Sequence, residues 1–441
     1  MDARLRAVRL IPLAFLAVIV VGAVLLMLPA SRADDGEPFV GTAIFTAVAS
    51  VCVTGMTVVD VAEFWSPFGH AVILGLVQVG GFGIMTLATL LAVLVSGKLG
   101  LRSMMVTQTE SHTVHLGDVR GLLGRIALTV LAFEVALSAI LTVRFRVAYH
   151  EDMGTALWHG VFHGVGSFNN SGYTLYSDNL VGFVGDAWIC LTISVAVIAG
   201  GIGFPVLAEL MRRTRPRGWT IHTRITVYGS LVLLLVGIVG VAVFEWTNPG
   251  TLGPLSLGEK LTASTTTGVM PRTGGYNSID YSQVRPETLA MTIVLMFIGG
   301  GSGGTAGGIK VTTFFLLAYV IWAEVRGDEE VTVGPREVPR HAQRQALTIA
   351  LLGVAVIAAG NIALLILTDL PFEITLFEAT AAFTTAGISS GVTADLPGTG
   401  QAVLLVLMFV GRVGTITVAS ALALRSRQRL YRLPEERPII G

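Results

Sequence analysis

Ser50-Val51-Cys52-Val53-Thr54-Gly55-Met56 closes an uncharged run that extends from Phe39 to Val59. Alone it reads as a turn after a helix, because glycine is the usual residue where the backbone leaves the helical region. The same kind of stretch recurs three more times. Asn170-Ser171-Gly172-Tyr173, Thr273-Gly274-Gly275-Tyr276 and Thr385-Ala386-Gly387-Ile388 align with Val53-Thr54-Gly55-Met56 on their glycines, which lie 117, 103 and 112 residues apart. A second glycine patch follows each: Gly80-Gly81-Phe82-Gly83, Gly200-Gly201-Ile202-Gly203, Gly299-Gly300-Gly301 and Gly411-Arg412-Val413-Gly414, at offsets of 25, 28, 24 and 24 residues. Two features in the same order, four times, define an internal repeat.

The material around these motifs is membrane-like. Of 441 residues, 53% are hydrophobic and only 13% charged, about half the charged share of a soluble domain. Apolar runs of spanning length fall near 8–29, 68–96, 122–148, 183–211, 223–246, 287–325, 345–368 and 399–424. The first follows Arg4, Arg6 and Arg9 but is long enough to span and has no clear small-residue cleavage site, so it reads as a retained helix rather than a signal peptide. Between alternate runs lie shorter, semi-polar segments near 38–56, 154–174, 257–276 and 372–391. Each suits a re-entrant helix plus loop.

Charge placement assigns the sides. Basic residues gather at 4–9, 98–125, 212–224, 326–344 and 425–437, whereas the opposite connections carry acids such as Asp60, Glu151, Asp178, Asp280, Glu373 and Asp395. The positive-inside rule then puts both termini in the cytoplasm and brings every semi-polar segment in from the outside. The fold class predicted is an all-α membrane protein of eight transmembrane helices. They form four tandem helix–pore loop–helix repeats with pseudo-fourfold symmetry around one pore: residues 1–97, 98–211, 212–338 and 339–441.

Irregular backbone at membrane depth is tolerated only where protein buries it or a watery cavity adjoins it. Four such loops from one side suggest a ring. Backbone carbonyls in a ring replace the water shell of a dehydrated cation, and the partly negative C-terminal ends of the preceding half-helices favour positive charge. The bland alternative is that the glycines merely permit close helix packing; four loops of matching polarity and sidedness weigh against it.

The strings Val53-Thr54-Gly55, Ser167-Phe168-Asn169-Asn170-Ser171-Gly172, Pro271-Arg272-Thr273-Gly274-Gly275-Tyr276-Asn277 and Thr305-Ala306-Gly307-Gly308-Ile309-Lys310 resemble the superfamily of potassium transporters that includes bacterial Trk and Ktr membrane subunits and plant high-affinity potassium transporters. The Ktr-type subunit is the most similar in layout. The resemblance covers nearly the whole chain and implies that each repeat supplies one quarter of a potassium selectivity filter. Carried over by position, the filter comprises Val53, Thr54 and Gly55; Asn170, Ser171 and Gly172; Thr273, Gly274 and Gly275; and Thr385, Ala386 and Gly387. Glycine in all four loops goes with potassium, while serine in the first accompanies sodium selectivity in some plant relatives. This chain departs from the family pattern at Gly274, where alanine is common, and at Tyr276, where phenylalanine is common; neither change removes a carbonyl.

The sixth run is broken by Gly299, Gly300, Gly301, Ser302, Gly303, Gly304, Thr305, Ala306, Gly307 and Gly308. At about 1 kcal/mol per glycine relative to alanine, such a run cannot hold a lipid-facing helix. It reads either as a kink between packed helices or as a mobile loop beneath the filter. The resemblance implies the second, an intramembrane gate within 297–310. Lys310 closes the stretch, either snorkelling or touching a cavity or helix end. Arg412, deep in the last run, needs a cavity or partner, and the resemblance places a family arginine there, below the filter, to hold the gate loop or act as a barrier. His159 and His163 stand at a spacing that could bind metal, with a structural role favoured. Asn169 and Asn170 are expected to bond the filter backbone. Trp65, Trp158, Trp188, Trp246 and Trp322 are expected at the membrane interface. Glu134, inside the third run, needs a partner.

Several classes are excluded or demoted. Net charge is zero, so nothing points to nucleic acid. Two cysteines, Cys52 and Cys190, imply no disulfide framework. No G-x-x-x-x-G-K-[ST] string occurs, so ATP-driven pumping within the chain is not expected, and the spans lack the paired ionisable residues of an intramembrane enzyme. A secondary symporter coupled to sodium or protons would favour inverted repeats; these run in one direction. The resemblance further implies residence in a bacterial plasma membrane, a homodimer, and a cytosolic ring of nucleotide-binding (RCK-type) regulatory subunits. It implies no bound cofactor, potassium as transported ion and sodium as an activator. The basic inner loops suit such a partner or the anionic lipid bilayer.

Overall fold

The computed structural model describes residues 3–33, 40–103, 116–212, 216–334 and 336–414. The acidic stretch 34–37, the basic tail 425–437 and the end of the eighth run lie outside the described residues. The helices are α1 (Ala3–Leu26), α2 (Val40–Val51), α3 (Val61–Phe64), α4 (Pro67–Ser103), α5 (Leu116–Ala148), α6 (Met153–Phe168), α7 (Ala187–Ile202), α8 (Phe204–Met211), α9 (Ile221–Glu245), α10 (Leu257–Val269), α11 (Pro286–Phe297), α12 (Val311–Arg326), α13 (Arg340–Leu367), α14 (Phe372–Thr384) and α15 (Gly398–Phe409). A π-helical turn over Val410–Gly414 continues α15, and a small antiparallel hairpin joins Thr332–Val333 to Arg336–Glu337.

The chain is helical and membrane-like. Among the described residues four helices are long and apolar enough to cross a bilayer unaided: Pro67–Leu87 within α4, Gly121–Ala148 within α5, α9 and α13. A fifth span results if α7 and α8 are taken together, although they are bent by 102°. Pro12–Leu26, α11 and Gly398–Gly414 are apolar but shorter. The bend has a local cause. Gly203 sits at φ 96°, ψ 143°, and Pro205 in the first turn of α8 offers no N–H to continue α7.

The four semi-polar segments form α2, α6, α10 and α14, of 12, 16, 13 and 13 residues. At about 1.5 Å per residue these are too short for a hydrocarbon core of about 30 Å. Their N-termini are built from capping residues. Asp152 accepts from the Thr155 N–H, Ser256 and Glu259 form a reciprocal capping box, and Pro371 precedes α14. Acids at these ends complement the helix dipole.

Each short helix packs on the helix before it, pairing α1 with α2, α5 with α6, α9 with α10 and α13 with α14. Each also packs on a helix from the repeat before: α6 on α4, α10 on α7, α14 on α11, and α2 on α15. That series returns to its start. Apolar packing in lipid gains little from hydrophobicity, so small residues and close approach matter more. Gly164 of α6 faces Ser138 of α5, where a methyl group would come within 2.8 Å of the Ser138 nitrogen. Gly237 of α9 meets Gly268 of α10 in the same way. One buried cluster joins Cys52, Val53 and Met56 to Leu404, Leu407 and Met408, tying the first repeat to the last. Trp65 belongs to that cluster at 2% exposure, so it is a core residue, not an interfacial one. Trp188 and Trp322 are exposed as expected.

Candidate ion-binding site

Helices α2, α6 and α14 end in the same hydrogen-bonded cap. Val53, Asn170 and Thr385 donate to the carbonyl three residues back, on Ser50, Ser167 and Ala382, at 3.0, 3.1 and 3.2 Å. The next residues, Thr54, Ser171 and Ala386, donate five back, to Ala49, Gly166 and Ala381, at 2.7, 2.9 and 2.9 Å. This is the Schellman arrangement, which normally places glycine at the left-handed position. Here that position holds Val53, Asn170 and Thr385, at φ 53°, 62° and 52°. Thr273 in the third loop joins them at φ 66°, although there Gly274 donates four back, to Met270, at 2.8 Å.

Among the described residues six non-glycines have positive φ, and these are four of them. The conformation costs roughly 1–2 kcal/mol for an L-residue and is a genuine outlier for β-branched side chains. Such strain persists where the surroundings over-determine it. Two residues on, Gly55, Gly172, Gly275 and Gly387 are again left-handed, at φ 80°, 74°, 76° and 78°. Alternation of this kind lets successive carbonyls face one side of the chain.

The four glycines meet. A methyl group on Gly55 would overlap the Ser171 carbonyl oxygen, and one on Gly387 would overlap that of Thr54. One on Gly172 would lie 2.7 Å from the Gly275 Cα, and one on Gly275 would lie 3.2 Å from the Ala386 carbonyl oxygen. The contacts thus run from each loop to the next and back to the first. The twelve residues predicted for the filter are therefore brought to one centre. Thr54, Ser171, Ala386 and all four left-handed non-glycines are buried.

Beyond the glycines lie two adjoining cavities of about 130 and 540 Å³. The smaller is lined by Gly55, Gly172, Gly387 and Asn277; the larger carries Asp60, Asp178 and Asp280. Burial pushes the Asp280 carboxyl up, but bonds from the Ser282 hydroxyl and N–H and the Gln283 amide outweigh it, so its pKa lies below the ordinary value.

At the other end of the loops sits the glycine stretch. Helix α11 stops at Phe297 and α12 starts at Val311. Ile298 and Ile309 pair in parallel, with Gly299 N–H to Ile309 O at 2.9 Å and Val311 N–H to Gly300 O at 3.0 Å. The residues between make a loop held by many partners. Gly301 and Thr305 donate to the Gly201 and Gly200 carbonyls at 2.8 and 3.1 Å, carbonyls at the end of the α7 helix near its bend. The Thr305 hydroxyl donates to Asn170 Oδ1 at 3.0 Å, and Gly307 packs on Thr384 and Thr385.

Three cations, the buried Arg272 and Arg412 and the half-buried Lys310, bond the same segment. Arg412 Nη1 donates to the Thr305 carbonyl and lies 3.5 Å from Thr385 Oγ1. Lys310 Nζ donates to Ala306 O at 2.6 Å, a contact within the glycine stretch itself. Arg272 donates to Gly299 O at 3.2 Å and to Ser230 Oγ at 3.0 Å; sequence reasoning missed this clamp.

Other expectations were met differently. Asn170 bonds side chains, Thr305 and Thr273, rather than filter carbonyls. Asn169 Nδ2 donates to Gln78 Oε1 at 2.7 Å and Glu134 Oε1 at 3.0 Å, and Gln78 Nε2 donates to Glu134 Oε2 at 3.2 Å. Glu134 thereby acquires its partners. His163 is held by the His159 carbonyl at 2.7 Å, and His159 by Glu151 and Tyr176. Two buried acids that the sequence reading did not single out, Glu245 and Glu378, anchor connecting loops. Glu245 accepts from Asn248, Thr251, Thr288 and the Arg285 N–H. Glu378 accepts from Ser389, Ser390 and Thr393. An acid inside the otherwise uncharged stretch Ile374–Ile388 was the available signal for Glu378.

Short helices that aim their carbonyl ends at one centre, in a helical membrane-type chain, define a protein of the cation-transport class. The chain belongs to the TrkH family of cation transport proteins, whose sequence profile matches residues 10–429. It is 36% identical over 433 residues to Ktr system potassium uptake protein B of Bacillus subtilis, covering 98% of this chain and 96% of that one. It is 32% identical over 447 residues to the potassium/sodium uptake protein NtpJ of Enterococcus hirae, covering 99% and 98%. The crystal structure of the potassium transporter TrkH from Vibrio parahaemolyticus has the same fold, with a TM-score of 0.73 at 17% identity over 95% of this chain and 84% of that one.

Proposed function

We propose that this chain is the ion-conducting subunit of a potassium uptake system. The observation that carries the reading is the meeting of four left-handed glycine turns at the C-terminal ends of four short helices. Their carbonyls replace the hydration shell of a cation, and Asp60, Asp178 and Asp280 raise its concentration at the mouth. The wide set of potassium-uptake relatives supports potassium as the ion.

In this reading the chain crosses the membrane eight times, as four helix–loop–helix repeats with pseudo-fourfold symmetry and both termini in the bacterial cytoplasm. The closed series of helix contacts supports that arrangement. Loop 299–308 is the gate. It lies on the side of the filter away from the acidic cavities, and Lys310 and Arg412 hold its carbonyls. Arg412 Nε and Nη2 have no hydrogen-bond partner among the described residues, so its uncompensated charge also opposes cation passage while the loop is in place. A homodimer seated on a nucleotide-binding cytosolic ring completes the system; the name "Ktr system" of the relatives supports a multi-component assembly.

Growth rescue of a potassium-uptake-deficient bacterium at low external potassium, with and without a regulatory partner, tests this. Rescue is expected. No rescue alongside robust sodium flux would overturn it in favour of a sodium-permeable or sodium-coupled carrier.

A further inference from the structure

We propose that Glu134 is a positioning residue for ion selection: through Asn169 it fixes the second loop's left-handed turn. The inference rests on the ion-binding reading of the four loops given above. Glu134 is 5% exposed on α5, between Leu131 and Val135, which face outward. A polar group buried in a spanning helix is costly, and packing alone is served as well or better by an apolar residue. What Glu134 adds is a closed triangle of side chains from three elements. Gln78 comes from α4, Glu134 from α5, and Asn169 from the end of α6.

Asn169 has no freedom to turn away. Its amide nitrogen also lies 2.9 Å from the Val165 carbonyl oxygen, so its two hydrogens are shared among three acceptors, and Gly81 leaves room for its Oδ1 that a methyl group would fill. Asn169 directly precedes Asn170, the left-handed residue whose side chain reaches Thr273 of the third loop and Thr305 of the glycine loop. A tilt of Asn169 is therefore passed to two neighbouring loops. At the equivalent positions of the other repeats stand Cys52, Arg272 and Thr384, none of which bonds a carboxylate among the described residues.

The donors and acceptors of the triangle allow a decisive swap. Glu134 only accepts, Asn169 only donates, and Gln78 does both. Asn169→Asp sets two carboxylates against each other. Adding Glu134→Gln turns one of the facing carboxylates into an amide whose nitrogen donates to the carboxylate at 169, so two of the three bonds are regained; the third is not, because that amide offers one nitrogen and one oxygen where Glu134 offered two oxygens. The measurement is the ratio of potassium to sodium flux for the full chain in proteoliposomes, with the unfolding temperature of the purified protein alongside.

Glu134→Ala and Asn169→Asp are each expected to lower the ratio about tenfold, and the double variant to recover part of it. A role in packing alone predicts losses that add. An unchanged ratio in both single variants, or a double variant no better than Asn169→Asp, overturns the inference. Should Glu134→Ala not fold, the double variant decides. Gly172→Ala separates the two levels. If it collapses the ratio while the Glu134 variants do not, only the role of Glu134 fails. If it too leaves the ratio unchanged, the ion-binding reading fails and this inference with it.

Discussion

Each repeat carries glycine in two places, and the two places behave differently. The loop glycines take one conformation four times, with φ between 74° and 80°. The glycine patches that follow take four forms. Gly80–Gly83 lie inside the continuous helix α4, Gly200–Gly203 end α7 at its bend, Gly299–Gly308 leave the helix altogether, and Gly411–Gly414 form a π-turn. Yet three patches share a contact. Gly80, Gly200 and Gly411 each press on the carbonyl four residues before a loop glycine, those of Val51, Phe168 and Phe383, where a methyl group would overlap the oxygen. In the third repeat Arg272 reaches the Gly299 carbonyl instead. The loop glycines are fixed by backbone angle, the patch glycines by proximity, so the patch is free to take any local form that keeps the approach.

This contrast orders the expected effects of substitution. Gly55→Ser acts on both angle and space, since the serine Cβ would meet the Ser171 carbonyl. It is expected to abolish potassium preference over sodium, read as a flux ratio; a wild-type ratio would break the angle side of the comparison. Gly80→Ala and Gly411→Ala act on space alone. Both should lower uptake and the unfolding temperature, by roughly 1–3 kcal/mol of overpacking, without setting a new ion preference. Arg412→Ala releases Thr305 from its guanidinium. A changed uptake rate at unchanged ion preference is expected, and wild-type rates would remove Arg412 from the gate.

Two smaller effects sharpen the picture. Asp280 has a depressed pKa, so it keeps its charge as the outside is acidified from neutrality to about pH 5, and loses it only below the ordinary carboxylate value of about 3.9. Asp280→Asn should slow uptake at low external potassium and low ionic strength, and the difference should vanish in high salt. Gly83→Ala is the control. It lies three residues from Gly80 in α4 but a methyl group there meets nothing within 4 Å, so a change within about 0.5 kcal/mol is expected. A large loss at Gly83 would show that helix flexibility, not proximity, explains the patch.

The four glycine turns were legible because their marks are local. Glycine at a recurring position after a short semi-polar segment lives in the sequence. The left-handed Val53, Thr273 and Thr385 were not legible as such, because a β-branched residue resists that angle and only tertiary packing imposes it. The bend at Gly203 was hidden within an apolar run from 183 to 211, although Gly203 and Pro205 together marked it. The partners of Glu134 lie 56 and 35 residues away, in separate helices, beyond the reach of periodicity. Trp65 was assigned to the membrane interface by sequence position alone, yet it is buried in the core.

The pairing of Ile298 with Ile309 has a mechanical consequence. It pins the two ends of the glycine loop to each other, so α11 and α12 are joined at the neck rather than through the loop. The segment between is a loop closed at its neck. Pulling it aside breaks its bonds to Gly200, Gly201, Asn170 and Arg412 but leaves the spacing of the two helices unchanged. Displacement of the loop by this route is a local rearrangement that does not require α11 and α12 to move apart.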